Sequence, residues 1–260
     1  MTEPIHVALL GLGEAGSAFA ADFVALGVPT AGWDPAPGRS VSGLRRARSA
    51  GDAVAGADLV LSLNSGASAL PAAEAAAAAF SPRSLFADLN TTGVALKREI
   101  AAAVGSAGAS FADVALLAPV PGRGVRTPAL ASGDGAVRYA EILGSLGASV
   151  DVVGPEPGAA AARKLLRSVF MKGLAASVLE SLAAADAAGC ADWLRADIAA
   201  TLGDADESLV DRLVDGSARH ALRRIDELAA AAELLRELGI EPHVTEAAAG
   251  VLRNLDGGES

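Results

Sequence analysis

The chain has 260 residues, 52% of them hydrophobic, and a formal net charge of −10 with a pI of about 4.8. That length suits two domains with an apolar core in each, and the acidic balance excludes a surface built for nucleic acid or anionic lipid. Cys190 is the one cysteine, which excludes an internal disulfide and a cysteine metal cage; His6, His220 and His243 are scattered, so no metal is expected.

In chain order, short β-rich runs alternate with Ala-rich helical stretches up to about Val153. Strands are expected at 6–10, 29–33, 58–63, 84–89, 110–116, 128–132 and 149–153, with helices between most of them. Such alternation argues for a doubly wound, mostly parallel α/β sheet. After Gly154-Pro-Glu-Pro157 the strand pattern stops, and helices are expected at about 158–188, 192–201, 204–214, 217–238 and 245–255. Asp204 with Glu207 has the form of a capping box, and Gly239 is placed to end a helix in the left-handed conformation. The expected division is an α/β domain over 1–154 and an all-α domain over 155–260. The N-terminus, with Glu3, enters the first strand at once, and the run 72–80 is interrupted by Glu74 and too short to span a bilayer, so a cytoplasmic protein without a membrane partner is expected.

The densest signal lies between Val7 and Phe23, where an apolar strand runs into Gly11-Leu12-Gly13-Glu14-Ala15-Gly16 and then into a helical pattern. The glycines of G-x-G-x-x-G have separate mechanical roles, with a tight turn at Gly11, close approach of a pyrophosphate at Gly13 and helix–strand packing at Gly16. The helix N-terminus then offers free N–H groups and a positive dipole end to the anion. Asp34 follows 18 residues after Gly16, at the end of the next apolar segment, where a carboxylate accepts ribose hydroxyls and repels the 2′-phosphate of NADP. Asp34 therefore favours NAD, while Arg39 and Ser40 in the following loop leave NADP open. Trp33 and Trp193 read as packing groups.

Ligands of an open parallel sheet bind beyond the carboxyl ends of the strands, which draws attention to Asn64-Ser65, to Asp88-Leu-Asn90-Thr91-Thr92 and to Pro119-Val-Pro-Gly122-Arg123-Gly124. Taken singly these residues also suit turns and helix caps; together they suggest a shared ligand. The long helix carries Arg163, Lys164, Arg167, Ser168 and Lys172, with Lys164, Ser168 and Lys172 one turn apart, opposite Leu165, Leu166, Val169 and Phe170. One reading is a solvated face of an amphipathic helix. The other is a pocket for an anionic substrate in which crowded cations favour the neutral amine that acid/base work needs.

These residues together resemble the β-hydroxyacid dehydrogenase superfamily, which includes 6-phosphogluconate and 3-hydroxyisobutyrate dehydrogenases and imine reductases. Gly11-Leu-Gly13-Glu-Ala-Gly16 matches the glycine fingerprint, Asp88-Leu-Asn90-Thr91 is similar to a D-x-S-T-type cofactor loop with Asn for Ser, and Lys164 falls at the catalytic lysine of a G-x-x-x-K-x-x-x-N-type helix. Ser168 departs from the Asn of that helix, and 119–124 replaces the family's serine-glycine-glycine substrate loop. The helical half, notably 164–173 and 219–224, is most similar to a divergent phosphogluconate-dehydrogenase-like subgroup. The resemblance implies a Rossmann-type domain followed by an all-α domain, and a hydride exchanged between NAD or NADP and a small hydroxy acid, oxo acid or related carbonyl or imine. It implies Lys164 as general acid/base, Ser168 or Lys172 to orient a small, anionic substrate, and Arg123 beside Gly122 to pair with its carboxylate or phosphate; the strand-end residues add a cofactor held by the glycine loop with Asp34, Arg39, Asn64, Asn90 and Thr91. His220 is a runner-up for substrate contact from the helical half, its first reading being a structural histidine in an Arg-rich helix, and His6 and His243 read as structural. The resemblance also implies a homodimer through the helical half. The departures leave a second expectation, a catalytically silent dinucleotide-binding protein with an association or sensing role.

Overall fold

A computed structural model describes residues 5–256, so Glu3 lies outside the described residues. The first part of the chain runs β1 (Val7–Leu10), α1 (Glu14–Ala25), β2 (Thr30–Trp33), β3 (Arg45–Arg46), α2 (Ala50–Val54), β4 (Leu59–Ser62), α3 (Ala69–Ala77), β5 (Leu85–Asp88), α4 (Val94–Ser106), β6 (Ser110–Leu116), β7 (Ala129–Ser132), α5 (Ala136–Ser145) and β8 (Val150–Val152). Five helices follow: α6 (Ala159–Ala187), α7 (Ala191–Gly203), α8 (Glu207–Arg219), α9 (Ala221–Glu237) and α10 (His243–Asp256).

The strands form one sheet in the order β3-β2-β1-β4-β5-β6-β7-β8, parallel throughout except between β6 and β7. β1, β4 and β5 are buried on both faces and read as continuous apolar runs for that reason. Val7 and Leu9 face a core filled by Phe19 and Phe23 of α1 and by Tyr139 and Leu143 of α5. Ala8 and Leu10 face the other core, built from the alanines of α2 and α3 and from Ile100 and Val104 of α4. Small alanines let α2 and α3 approach that face closely, which explains how Ala-rich, weakly hydrophobic helices still pack. The fold is thus a Rossmann-type doubly wound sheet followed by an all-helical region. Strand order reverses between β1 and β4, and the carboxyl ends of these two strands place Gly11 and Asn64 at one crevice.

Some local expectations are corrected. β3 has no apolar run to mark it; Arg46 on it donates to the carbonyls of Asp34 (2.7 Å) and Ala36 (3.2 Å), bracing the loop after β2. α8 is capped by Asp206, whose Oδ1 accepts from Leu209 N, whereas Asp204 closes α7. The break expected near Gly216 falls instead at His220, because Gly216 keeps a helical φ; Gly239, at φ +76°, does end its helix in the left-handed region.

By compactness the chain divides into two units inside α6, between Arg167 and Ser168. The first turns of α6 belong with the sheet because their backbone is bonded to it. Asp113 Oδ2 accepts from Ala161 N (2.9 Å) and from Ser132 Oγ (3.2 Å), and Ser132 Oγ accepts from Ala160 N (3.0 Å). The orphaned N–H groups of a helix start are thereby satisfied by a strand end. Beneath them Lys97 Nζ meets Asp88 Oδ2 at 2.7 Å, the Asp88 carbonyl at 2.8 Å and Asp113 Oδ1 at 3.0 Å, with all three residues fully buried. In the second unit Ala232, Leu235 and Ala249 are buried between α9 and α10, and Glu180 caps the start of α10, accepting from Val244 N, Thr245 N and Thr245 Oγ1.

Removing one partner of a buried ion cluster leaves uncompensated charge, so Lys97→Met, which faces two carboxylates with no cation, is expected to lose about 3–5 kcal/mol of stability. Urea denaturation measures it. A loss under about 1 kcal/mol, as for an exposed ion pair, contradicts this account of the core.

Candidate active site

Gly11, at φ +103°, carries the chain out of β1, and a Cβ there would collide with the Leu63 carbonyl. A Cβ on Gly16 would collide with the Gly11 carbonyl, so both glycines are demanded by the fold itself. Gly13 differs. The one atom near its absent Cβ is Arg39 Nη1 at 3.3 Å, and as N-cap of α1 it offers no side chain to the helix start. The first N–H groups of α1 are left facing open space, the arrangement that receives a phosphate.

Around this loop lies a cleft of about 590 Å³ lined by Gly11, Gly13, Glu14, Ala15, Trp33, Asp34 and Arg39, by Leu63 to Ser65, and by the entry to α3. Asp34 is 4% exposed and already engaged: Oδ2 accepts from Leu12 N (2.7 Å) and Oδ1 from Ala36 N (2.8 Å), with Arg39 Nη1 3.4 Å from Oδ2. Burial would raise the Asp34 carboxyl, but the Leu12 and Ala36 N–H groups and the Arg39 guanidinium outweigh it and hold it below the ordinary 3.8. Arg39 itself is 55% exposed. The charge displayed at this end of the cleft is therefore a guanidinium laid over a satisfied carboxylate, and the NAD preference expected from Asp34 is not supported.

A second cleft, of about 370 Å³, shares Glu14, Ala15, Leu63 and Asn64 with the first. It continues past Leu89, Asn90, Thr91, Leu116 and 118–121 to Lys164. Lys164 Nζ donates to Thr91 Oγ1 at 2.9 Å. Asn90 directs both hydrogens of Nδ2 inward, to Ser62 Oγ (3.0 Å) and to Asp88 Oδ1, while its Oδ1 is buried without a hydrogen-bond partner. A buried acceptor left unmatched costs about 1–3 kcal/mol, so a ligand that brings an N–H or O–H donor is favoured here. Asn64 Nδ2 donates to the same Ser62 Oγ at 2.9 Å. The two connected clefts suit a long ligand with a phosphate at its middle and a carboxamide at one end, a dinucleotide, and leave room beside Lys164 for a small second molecule.

Of the residues singled out from sequence, Gly13, Glu14, Ala15, Asp34, Arg39, Asn64, Asn90, Thr91 and Lys164 line one or both clefts. Leu12 is buried in the core with its N–H committed to Asp34, and Gly16 serves packing. Gly122 and Arg123 are exposed and absent from both linings, in a loop pinned just beyond them where Val125 N donates to Asp22 Oδ2 at 2.9 Å. Ser168, Lys172 and His220 belong to the second unit, where Lys172 and His220 are exposed and Ser168 is half-buried. Trp33 packs partly into the α2/α3 core and also borders the first cleft. Sequence reasoning passes over Ser68 and Pro71, which line the first cleft from the turn at 66–68 and the first turn of α3; no motif marks them. It also passes over Lys97, which reads as an ordinary helix residue until the fold buries it.

Comparison with known proteins agrees with this geometry. Residues 6–154 match the NAD binding domain of 6-phosphogluconate dehydrogenase, and residues 185–255 match a domain of unknown function, DUF1932. An uncharacterized 28.5 kDa protein in the 7S RNA 5′ region of Methanothermus fervidus is 28% identical over 116 residues, 45% of this chain and 46% of that protein, so the match spans about half of that relative. A conserved hypothetical protein from Sinorhizobium meliloti 1021 is 29% identical, with a TM-score of 0.65 over 97% of this chain and 88% of that one. An imine reductase from Streptomyces aurantiacus shares the fold at a TM-score of 0.83 and 19% identity, over 96% and 93% of the two chains. A reductive aminase from Aspergillus terreus, in complex with NADPH and ethyl-5-oxohexanoate, shares it at 0.78 and 21%, over the same 96% and 93%.

Gly13→Val is expected to abolish cofactor binding by calorimetry while the melt stays cooperative, since the new side chain meets the end of the exposed Arg39 side chain rather than core. For Asp34 the sign follows from its lowered pKa. Its contribution is complete above the ordinary 3.8 and is lost as pH falls below that value through the folded one. Asp34→Asn should therefore melt lower than wild type at about pH 6, and the gap should close as the acid limb is descended. A gap that stays constant down to about pH 2 contradicts this role of the carboxylate.

Proposed function

Because the chain belongs to the family built on the NAD binding domain of 6-phosphogluconate dehydrogenase, we propose that it is an oxidoreductase that uses NADP(H) to interconvert a small carbonyl or imine with the corresponding alcohol or amine, a hydroxy acid and its oxo acid among the candidates. The observation that carries the reading is the position of Lys164 Nζ in the second cleft, 2.9 Å from Thr91 Oγ1. A side chain that donates and accepts protons stands where the cofactor cleft meets room for a second molecule, which favours turnover over a silent dinucleotide-binding role.

The residues present fit a nicotinamide dinucleotide: an open helix N-terminus at Gly13, a cationic Arg39 at one end, and an orphaned acceptor on Asn90 toward the other. When bound, the cofactor supplies or accepts the hydride. Lys164 delivers a proton to the substrate oxygen or nitrogen on reduction and removes it on oxidation. Thr91 holds the lysine by its hydroxyl. Asn90 Oδ1 orients an N–H or O–H of the bound ligand, and Leu63, Leu89, Leu116 and Val120 line the cleft with hydrocarbon that excludes water. NADP is favoured over NAD because the Asp34 carboxylate is already satisfied by Leu12 and Ala36 while Arg39 stays exposed to pair with a 2′-phosphate.

The helical half is read as a subunit interface. Leu166, Val169, Phe170, Leu179 and Trp193 are each more than 60% exposed, more large apolar surface than monomers ordinarily leave in water. By length and composition α6 is apolar enough to cross a membrane. Its start is bonded to the sheet, however, and Arg163, Lys164, Arg167, Lys172, Glu180 and Asp186 punctuate it, so a second copy of the chain is the better cover.

Screening hydroxy acids, oxo acids and cyclic imines by NADPH absorbance tests the reaction class. Lys164→Met should lower turnover about 10²- to 10⁴-fold with cofactor affinity unchanged; turnover near wild type removes Lys164 from the chemistry. Arg39→Ala should weaken NADPH about tenfold, roughly 1.4 kcal/mol, and leave NADH almost untouched. Sedimentation should give twice the 25.7 kDa chain mass. A monomer at micromolar concentration overturns the interface.

A further inference from the structure

Of the chain's 21 basic residues three are lysine, Lys97, Lys164 and Lys172. Lys97 is the one placed where no solvent reaches, and an arginine fork would not fit its role. The compact ammonium donates to Asp88 Oδ2 and the Asp88 carbonyl at 2.7 and 2.8 Å and makes an ion pair with Asp113 Oδ1 at 3.0 Å, a point charge shared between two strands. Each carboxylate then turns its remaining oxygen to a different wall of the second cleft.

One arm runs through Asp88. Its Oδ1 accepts from Asn90 Nδ2, and because a carboxylate can only accept, the amide nitrogen must face it. Ser62 Oγ takes the second hydrogen of that amide, which leaves Oδ1 as the polar atom Asn90 has for a ligand. Thr91 follows directly. The other arm runs through Asp113, whose Oδ2 accepts from Ala161 N and from Ser132 Oγ–H, and Ser132 Oγ accepts from Ala160 N. Lys164 lies three residues beyond Ala161, one helical turn along the same rigid element. The wall that carries Thr91 and the helix that carries Lys164 are thus both referred to one buried ammonium.

We propose that Lys97, through Asp88 and Asp113, is a positioning residue of the active site: it fixes the spacing between the Asn90-Thr91 loop and the first turn of α6, and so holds the Lys164 amine against Thr91. The proposal deepens the oxidoreductase reading, on which its kinetic consequence rests. A merely structural role for the cluster would lower stability and leave the environment of Lys164 as it is.

Three lysines make that environment directly visible. Lysine labelled with ¹³C at Cε gives one side-chain signal per lysine, and the exposed Lys172 serves as the internal standard for an unconstrained amine. Lys97→Met combined with Asp88→Asn removes the clamp while keeping the net charge of the cluster, which guards against unfolding by bare carboxylates. Ser132→Ala is milder and loosens the α6 arm alone. In both variants the Lys164 signal should move toward that of Lys172 and kcat should fall about 10- to 100-fold, the scale of an ångström-sized misplacement; in Ser132→Ala, which leaves both the glycine loop and the Asp88–Asn90 contact untouched, NADPH affinity should be unchanged. A folded double variant with the wild-type Lys164 signal overturns the proposal. If the double variant fails to fold, a wild-type Lys164 signal in Ser132→Ala does so. Lys164→Met run alongside separates the two readings: if it leaves turnover intact the acid/base role fails, while the Lys164 signal in the other variants still judges positioning.

Discussion

The structure of the first unit depends on a positive charge that never meets water. Lys97 stands between Asp88 at the end of β5 and Asp113 in β6, and its removal from solvent is tolerated because its ammonium donates to the Asp88 carboxylate and carbonyl and lies within ion-pair distance of Asp113 Oδ1, the one carboxylate oxygen of the pair without a hydrogen bond. A buried ion pair is weak evidence for net stability, since desolvation offsets most of the Coulomb attraction. Its directional consequence is stronger. Two adjacent parallel strands are locked in register where β5 ends opposite the middle of β6, and the start of α6 is docked onto the same cluster by two backbone N–H groups.

The same principle, a buried carboxylate ordering backbone around a binding site, recurs at Asp34. It ties the glycine loop after β1 to the loop after β2 by accepting from Leu12 and Ala36, and Arg46 braces the far side through the Asp34 and Ala36 carbonyls. A carboxylate at this place in a sequence suggests a ribose ligand; a carboxylate whose two oxygens are already engaged suggests a scaffold, with Arg39 as the group on display. What such a loop displays to a ligand follows from which charges stay exposed after folding rather than from which are present.

The second unit handles burial in the opposite way. Its helices enclose a modest core around Ala232, Leu235 and Ala249, while Val169, Phe170 and Leu179 of α6 and Trp193 of α7 stay largely exposed. An α-helical half rich in alanine has little side-chain volume with which to cover itself, which leaves these larger apolar groups facing outward.

Features governed by local physics were legible in the residues alone. Period-two and period-3.6 patterning placed seven of the strands and the helical half within a few residues, because apolar runs bounded by glycine and proline leave few alternatives. The glycine fingerprint located the crevice, since Gly11 and Gly16 answer steric demands that arise within a few residues or across one neighbouring strand. Long-range pairings became visible only once the chain was folded. Arg45–Arg46 became a strand by hydrogen bonding to β2, Lys97 became a buried ion by meeting carboxylates from two strands, and Asp34 changed meaning once Leu12 had claimed its oxygen. The cause is common to all three: a polar group's role is set by the partner that satisfies it, and that partner lies well beyond the reach of local sequence patterns.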